Sequence, residues 1–200
     1  MRVVAENISK RFNRDWIFNQ LNLDITEQSF VAITGTNGSG KSTLLQILAS
    51  LIVPTTGKVS YFYQNDKVTI EDAALQSSFV GPYQELIEEM TLNEFLPFHF
   101  SLRKGDYTTT ENFMKYIGIE KAKNKEIRYF SSGMKQRIKL GIAFFTHSPL
   151  IFLDEPTSYL DSKGIQWYDN EINQLINKRT IILASNIPRE YNNAHKIIQM

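Results

Sequence analysis

Gly35 to Ser42 reads GTNGSGKS, a complete match to the pattern G-x-x-x-x-G-K-[ST]. Glycines at 35, 38 and 40 let a backbone bend and come close to a ligand, Lys41 supplies one cation, and a hydroxyl follows it. That set suits a polyphosphate, whose negative charges need backbone N–H groups at short range, a helix N-terminus and a positive charge. Gly35, Thr36, Asn37, Gly38, Ser39 and Gly40 then form the cradle, and Lys41 reaches the β and γ phosphates. The Ser42 hydroxyl ligates Mg²⁺, and Thr43 adds another hydroxyl. A Gly-rich turn that only caps a helix is the plain alternative. The apolar strand FVAIT ahead of the loop and the helical run TLLQILA behind it favour the phosphate cradle.

A second chemical feature lies at Leu150 to Thr157, LIFLDEPT, an apolar strand closed by two adjacent acids. Neighbouring carboxylates on a continuing strand point to opposite faces, so they divide the work. Asp154 would hold the Mg²⁺ shell and Glu155 would orient and polarise an attacking water, because phosphoryl transfer needs positioning and charge neutralisation. Pro156 is expected to end the strand. The bland reading is a solvated turn after a strand.

These residues need a scaffold, and 200 residues with 42% hydrophobic composition can bury one substantial core or two joined lobes. Lys plus Arg (22) and Asp plus Glu (21) nearly cancel, leaving +1, so no global field draws the chain to nucleic acid or acidic lipid. Cysteine is absent, which removes disulfides, thiolate metal sites and a cysteine nucleophile, and makes the cytoplasm the default compartment. No secretory h-region or membrane-length apolar run appears, so any service to a membrane runs through a partner.

Alternating or β-rich patterns at 2–8, 17–25 and 57–64 suit an antiparallel sheet covered on one face. The fully apolar runs FVAIT, LIFL and TIILA suit a parallel sheet buried on both faces, with a last strand near Lys196 to Gln199. Helical spacing dominates between, from about Thr91 to Thr146. There Leu92, Phe95, Leu96 and His99 share one face, and GMKQRIKLGIAFF forms an amphipathic helix. The expected fold class is therefore α/β: a P-loop NTPase core with an antiparallel β subdomain and a helical insert. The core is expected over 1–84 and 147–200 and the helical subdomain over 85–146.

GTNGSGKST and LIFLDEPTSYLD together resemble the Walker A and Walker B motifs of the ABC (ATP-binding cassette) family. DEPT followed by Ser158, Leu160 and Asp161 resembles the family's D-loop, which lies at a dimer interface. Phe130 to Arg137, FSSGMKQR, is similar to the signature motif. Read alone, this run offers a hydroxyl cap and free N–H groups ahead of a helix, fit for an anion or for plain N-capping. The resemblance implies that Ser131, Ser132 and Gly133 close over ATP held by the loop of a second subunit. It further implies that Phe12 stacks on adenine and that Gln84 contacts the metal shell. Core packing of Phe12, stacking by Trp16 and a merely exposed Gln84 stay open as alternatives.

The sequence departs from the family at Asn186, where most members carry a histidine, and at Ser132 and Met134 of the signature. Asn186 can donate a hydrogen bond to a γ-phosphate but cannot carry a proton charge. The resemblance implies an ATP- and Mg²⁺-dependent ATPase with Glu155, Lys41 and Asn186 in catalytic roles. It would work as a homodimer or paired subunit that drives an integral membrane permease from the cytoplasmic face, with no nucleic acid partner. The permease contact is expected near Gln84 to Ser101, where Phe95, Pro97, Phe98 and Phe100 offer apolar surface; core packing accounts for those aromatics equally well. A non-transport ABC ATPase and an ATP-binding regulatory module with weak hydrolysis are the competing functions.

Overall fold

Alternation of apolar and polar side chains over Arg2–Phe12 and Asp15–Ile25 yields two long antiparallel strands, β1 and β2, joined at Asn13, whose φ of 53° asparagine tolerates better than most residues. The computed structural model describes residues 1–82, 84–120 and 125–200, which divide into two units. The first takes 1–79, 149–155 and 175–200; the second takes 80–148 and 156–174.

In the first unit, β1 and β2 continue into β4 (Thr56–Tyr63) and β5 (Asp66–Val68), in the sheet order β2-β1-β4-β5. The short β5 and the helix α2 (Ile70–Leu75) after it carry too few residues for periodicity to announce them. The second sheet has the order β6-β7-β8-β3-β9, built from Ser77–Val80, Leu150–Asp154, Thr180–Ala184, Phe30–Thr34 and Lys196–Gln199. Strands β7, β8, β3 and β9 run parallel. Every residue of β7 and β8 is buried, as a parallel strand covered on both faces requires. Helix α1 (Lys41–Leu48) packs on β3, β7 and β8 through Leu44, Leu45, Ile47 and Leu48.

Register decides what meets at the carboxyl edge of this sheet. Ala184 pairs with Asp154 of β7 on one side and with Ile33 of β3 on the other. Three strand ends therefore stand abreast, and in open α/β sheets the crevice beyond such ends is where ligands bind.

The second unit is helical: α3 (Leu92–Leu102), α4 (Thr110–Ile117), α5 (Ser132–Phe145) and α6 (Ser162–Leu175). Thr91 and Glu94 form a capping box that starts α3. Leu92, Phe95 and Leu96 bury the expected face against Phe113, Met114, Ile117, Ile138 and Ile142. Gly141 lets α4 and α5 approach closely, since a Cβ there would lie 2.5 Å from Ile117 and 2.9 Å from Phe113. Burying each large apolar side chain contributes about 1.5–3 kcal/mol. Residues 156–174, which sequence pattern assigns to the core, group with this helical unit. Among the described residues no helix is long and apolar enough to cross a membrane.

Candidate functional site

The loop between β3 and α1 takes its shape from glycine. Gly40 has φ 98°, and a Cβ on it would come 2.4 Å from Ile17 Cγ2. Gly38 has open space around it, so its φ of 82° alone requires glycine. The loop closes on itself where the Ser39 N–H donates to the Thr36 carbonyl, and the α1 ladder starts with the Leu44 N–H on the Gly40 carbonyl. The N–H groups ahead of Leu44 thus lie outside the helix's own ladder and are available to an anion.

Lys41 is 5% exposed, and its Nζ donates to the carbonyls of Gly35 and Thr36, both at 2.9 Å. An ammonium has three donors. Two hold the cation at the mouth of the loop, and the third is left for a ligand.

Ser42 Oγ donates to Asp154 Oδ1 at 2.9 Å, a contact spanning 112 positions of sequence. Asp154 is 2% exposed, and its other oxygen, Oδ2, is buried with no hydrogen-bond partner among the described residues. Burial raises its pKa above the ordinary carboxylate value; the Ser42 hydrogen bond opposes this, Glu155 adds to it and Lys41 subtracts. A buried carboxylate oxygen without a donor is costly unless a cation or proton meets it.

The strand stops at Asp154, one residue earlier than Pro156 leads one to expect, because Glu155 turns out of the sheet with φ 47°. Its N–H still donates to the Ala184 carbonyl at 2.9 Å, so the turn is anchored. The two acids separate by this backbone turn rather than by strand alternation. Glu155 then lines the same pocket as Asn37, Gly38, Lys41, Ser42 and Ile17. The pocket measures about 210 Å³, smaller than the roughly 300–1,000 Å³ of a site enclosing a whole small molecule. It matches a phosphate tail, leaving the rest of such a ligand to be covered from elsewhere.

Asn186 joins this constellation. It follows β8, and its Nδ2 donates to Asn37 Oδ1 of the loop at 3.0 Å. Thr36 and Asn37 are exposed, whereas Thr43 belongs to the half-buried first turn of α1. Phe12 and Trp16 sit on the β1–β2 hairpin, each 50% exposed, with Lys10 over the first ring at 4.9 Å and Arg11 over the second at 5.3 Å. Neither is core. The residue of this hairpin that lines the pocket is Ile17, which sequence reasoning missed because an apolar strand residue carries no signal of its own.

In the second unit, Ser131 caps α5, its Oγ accepting the Met134 N–H at 3.3 Å. FSSG thus caps a helix start, as one of its two readings expects. Ser131 and Ser132 are exposed, and with Gly133, Tyr159 and Asp161 they border an open depression of about 540 Å³. Gln84 lies in this unit, and its Oε1 is buried without a hydrogen-bond partner among the described residues, which removes the reading of a merely exposed glutamine. Of the aromatics expected to offer apolar surface, Phe95 is buried in the helical core and Phe100 stacks on Tyr107 with ring centroids 4.9 Å apart. Packing claims both. Pro97 and Phe98 remain exposed, joined by Leu102 one turn beyond Phe98.

Comparison with known proteins gives a consistent picture. The family described as ABC transporter matches residues 18–158. The bacitracin transport ATP-binding protein BcrA of Enterococcus faecalis is 28% identical over 191 residues, 94% of this chain and 62% of its own length, so the chain spans less than two thirds of that relative. The cytochrome c biogenesis ATP-binding export protein CcmA of Rhizobium etli is 29% identical, across 92% of this chain and 87% of its own. Among solved structures, the dimeric post-hydrolysis state of the ATP-binding cassette MJ0796 bound to ADP and Pi superposes with a TM-score of 0.83 at 25% identity. That match covers 99% of this chain and 94% of the other.

Proposed function

Because the chain belongs to the ABC transporter family as an ATP-binding, ATP-hydrolysing cassette, we propose that two copies close around two ATP molecules and drive a separate membrane permease. The observation that carries this reading is the meeting of Lys41, Ser42 and Glu155 at one pocket beyond the strand ends, with Asp154 hydrogen-bonded to Ser42 behind it.

The residues divide the chemistry as follows. Loop N–H groups and Lys41 hold the phosphates. Ser42 and Asp154 fit a Mg²⁺ ion, since Asp154 Oδ2 is a buried hard oxygen without a hydrogen-bond partner among the described residues and the same carboxylate accepts the Ser42 hydroxyl. Bound Mg²⁺ neutralises charge on the β and γ phosphates. Glu155, turned into the pocket, orients the attacking water, and Asn186 donates a hydrogen bond to the γ-phosphate from its place on Asn37.

A pocket that encloses only the phosphate end leaves work for a second copy. Ser131, Ser132 and Gly133 would cover the γ-phosphate in trans, and Phe12 would stack on the adenine from its exposed place on the hairpin. Each ATP then contributes affinity to the closed dimer, and loss of the γ-phosphate removes it. The patch of Pro97, Phe98 and Leu102 on α3 is the surface offered to the permease, which would hold the cassette at the cytoplasmic face of the membrane. The names of relatives at similar identity include both import and export, so the reading commits to coupling and not to direction.

Replacing Glu155 tests it. Purified protein should hydrolyse ATP with Mg²⁺; Glu155→Gln should lower turnover by about 10²-fold or more and trap an ATP-dependent dimer visible by size-exclusion chromatography. Equal turnover in the two proteins would remove Glu155 from its role.

A further inference from the structure

One face of α5 grips the segment that follows Glu155. Gly133, Gln136 and Arg137 are three and four residues apart, and so share a side of the helix. Each meets a different point of 156–161. A Cβ on Gly133 would lie 2.7 Å from the Tyr159 carbonyl oxygen, so glycine lets the loop press on the helix. Gln136, 6% exposed, donates from Nε2 to the Pro156 carbonyl at 2.8 Å. Arg137 donates from Nη2 to Asp161 Oδ1 at 2.6 Å and from Nη1 to the Ile117 carbonyl at 3.0 Å, tying the end of α4 to the same place.

Two further details show that room was made for this grip. Gly164 sits inside α6, where glycine weakens a helix relative to alanine. A Cβ there would come 2.9 Å from Arg137 Nη2, so the guanidinium accounts for the glycine. Asp161 also accepts the Gly164 N–H at 2.8 Å, capping α6 while it holds the arginine. Between the anchored ends, Tyr159 has φ 68°, a left-handed backbone that bulky residues seldom adopt, and its side chain is exposed. A loop in that conformation persists because its surroundings over-determine it.

We propose that Gln136 and Arg137 are positioning residues for ATP hydrolysis. Through Pro156 and Asp161 they fix the peptide that continues from Glu155, so the signature loop at the start of α5 and the segment after the water-orienting carboxylate move as one piece. The inference rests on the ATPase reading above.

Gln136→Met keeps length and volume and removes the donor. The expected result is a fall in kcat of about tenfold or more with KM for ATP within about twofold, because the phosphate loop is untouched while a reacting group is misplaced. Amides of 157–161 should exchange hydrogen faster than in the parent protein. Arg137→Lys, which keeps the charge and loses the two-pronged geometry, should shift kcat the same way and serves if Gln136→Met folds poorly. An active parent and an equally active folded variant would overturn the proposal, as would unchanged exchange at 157–161. A parent protein without turnover would instead sink the ATPase reading.

Discussion

The glycine loop at 35–43 and the start of α5 at 131–133 are two helix starts built in opposite ways. At 35–43 glycine shapes the backbone, and Lys41 is buried against carbonyls of its own loop. At 131–133 the serines are exposed, and the loop is steadied by side chains further along α5 that grip a segment some twenty positions away. The first site is complete for a phosphate tail within one chain. The second has a supported rim and an open front, as expected of a surface that acts on a ligand held by another copy.

Disturbing the open site should cost the most while sparing the closed one. In Gly133→Val a side chain must displace the Tyr159 carbonyl. Turnover should fall by about 10²-fold and the ATP-trapped dimer should disappear in the Glu155→Gln background, while a single chain still binds ATP by fluorescence titration. Retention of the dimer would show that the two sites are not divided in this way.

The closed site is sharpened by Asp154→Asn. Mg²⁺ dependence should weaken by about 10–100-fold, read from ATPase activity against metal concentration. Stability should move the other way. Burial, opposed by the Ser42 hydrogen bond, raises the folded pKa of Asp154, so this carboxyl favours folding below its unfolded pKa and loses that contribution as pH rises through the folded value. Metal-free Asp154→Asn should therefore melt higher than the parent at neutral pH. The gain should vanish when pH falls below the ordinary aspartate range.

The smallest effect is expected at Asn186, where the closed site meets its amide. Asn186→His should raise turnover a few-fold and introduce a pH dependence near 6.5, the ordinary histidine value, that an amide cannot give. An unchanged, flat profile would mean that holding Asn37, and not touching the γ-phosphate, is the work of this position.

Much of this was legible in the residues. GTNGSGKS is contiguous because a backbone cradle is a local structure, and its glycines, lysine and hydroxyl carry their meaning wherever the loop sits. FVAIT, LIFL and TIILA announced buried parallel strands because burial on both faces favours a continuous apolar run. The helical face of Leu92, Phe95 and Leu96 was equally plain. For Phe95 and Phe100 surface and core packing stood equally open, since an aromatic on a helix looks the same whether it faces a neighbour or a partner, and packing is what the structure shows. Ile17, Gln136 and Arg137 escaped notice because their roles come from what lies opposite them.

By itself, then, the sequence determined what each local motif offers: a glycine loop with a lysine and hydroxyls, two adjacent acids at a strand end, and a capped helix start with small residues. Only the tertiary structure decided which of these meet. Ser42 reaches Asp154 because β7, β8 and β3 lie side by side in register, and the α5 face holds 156–161 because Gly133 and Gly164 allow close approach. Those are consequences of strand order and packing distance, which no run of adjacent residues encodes.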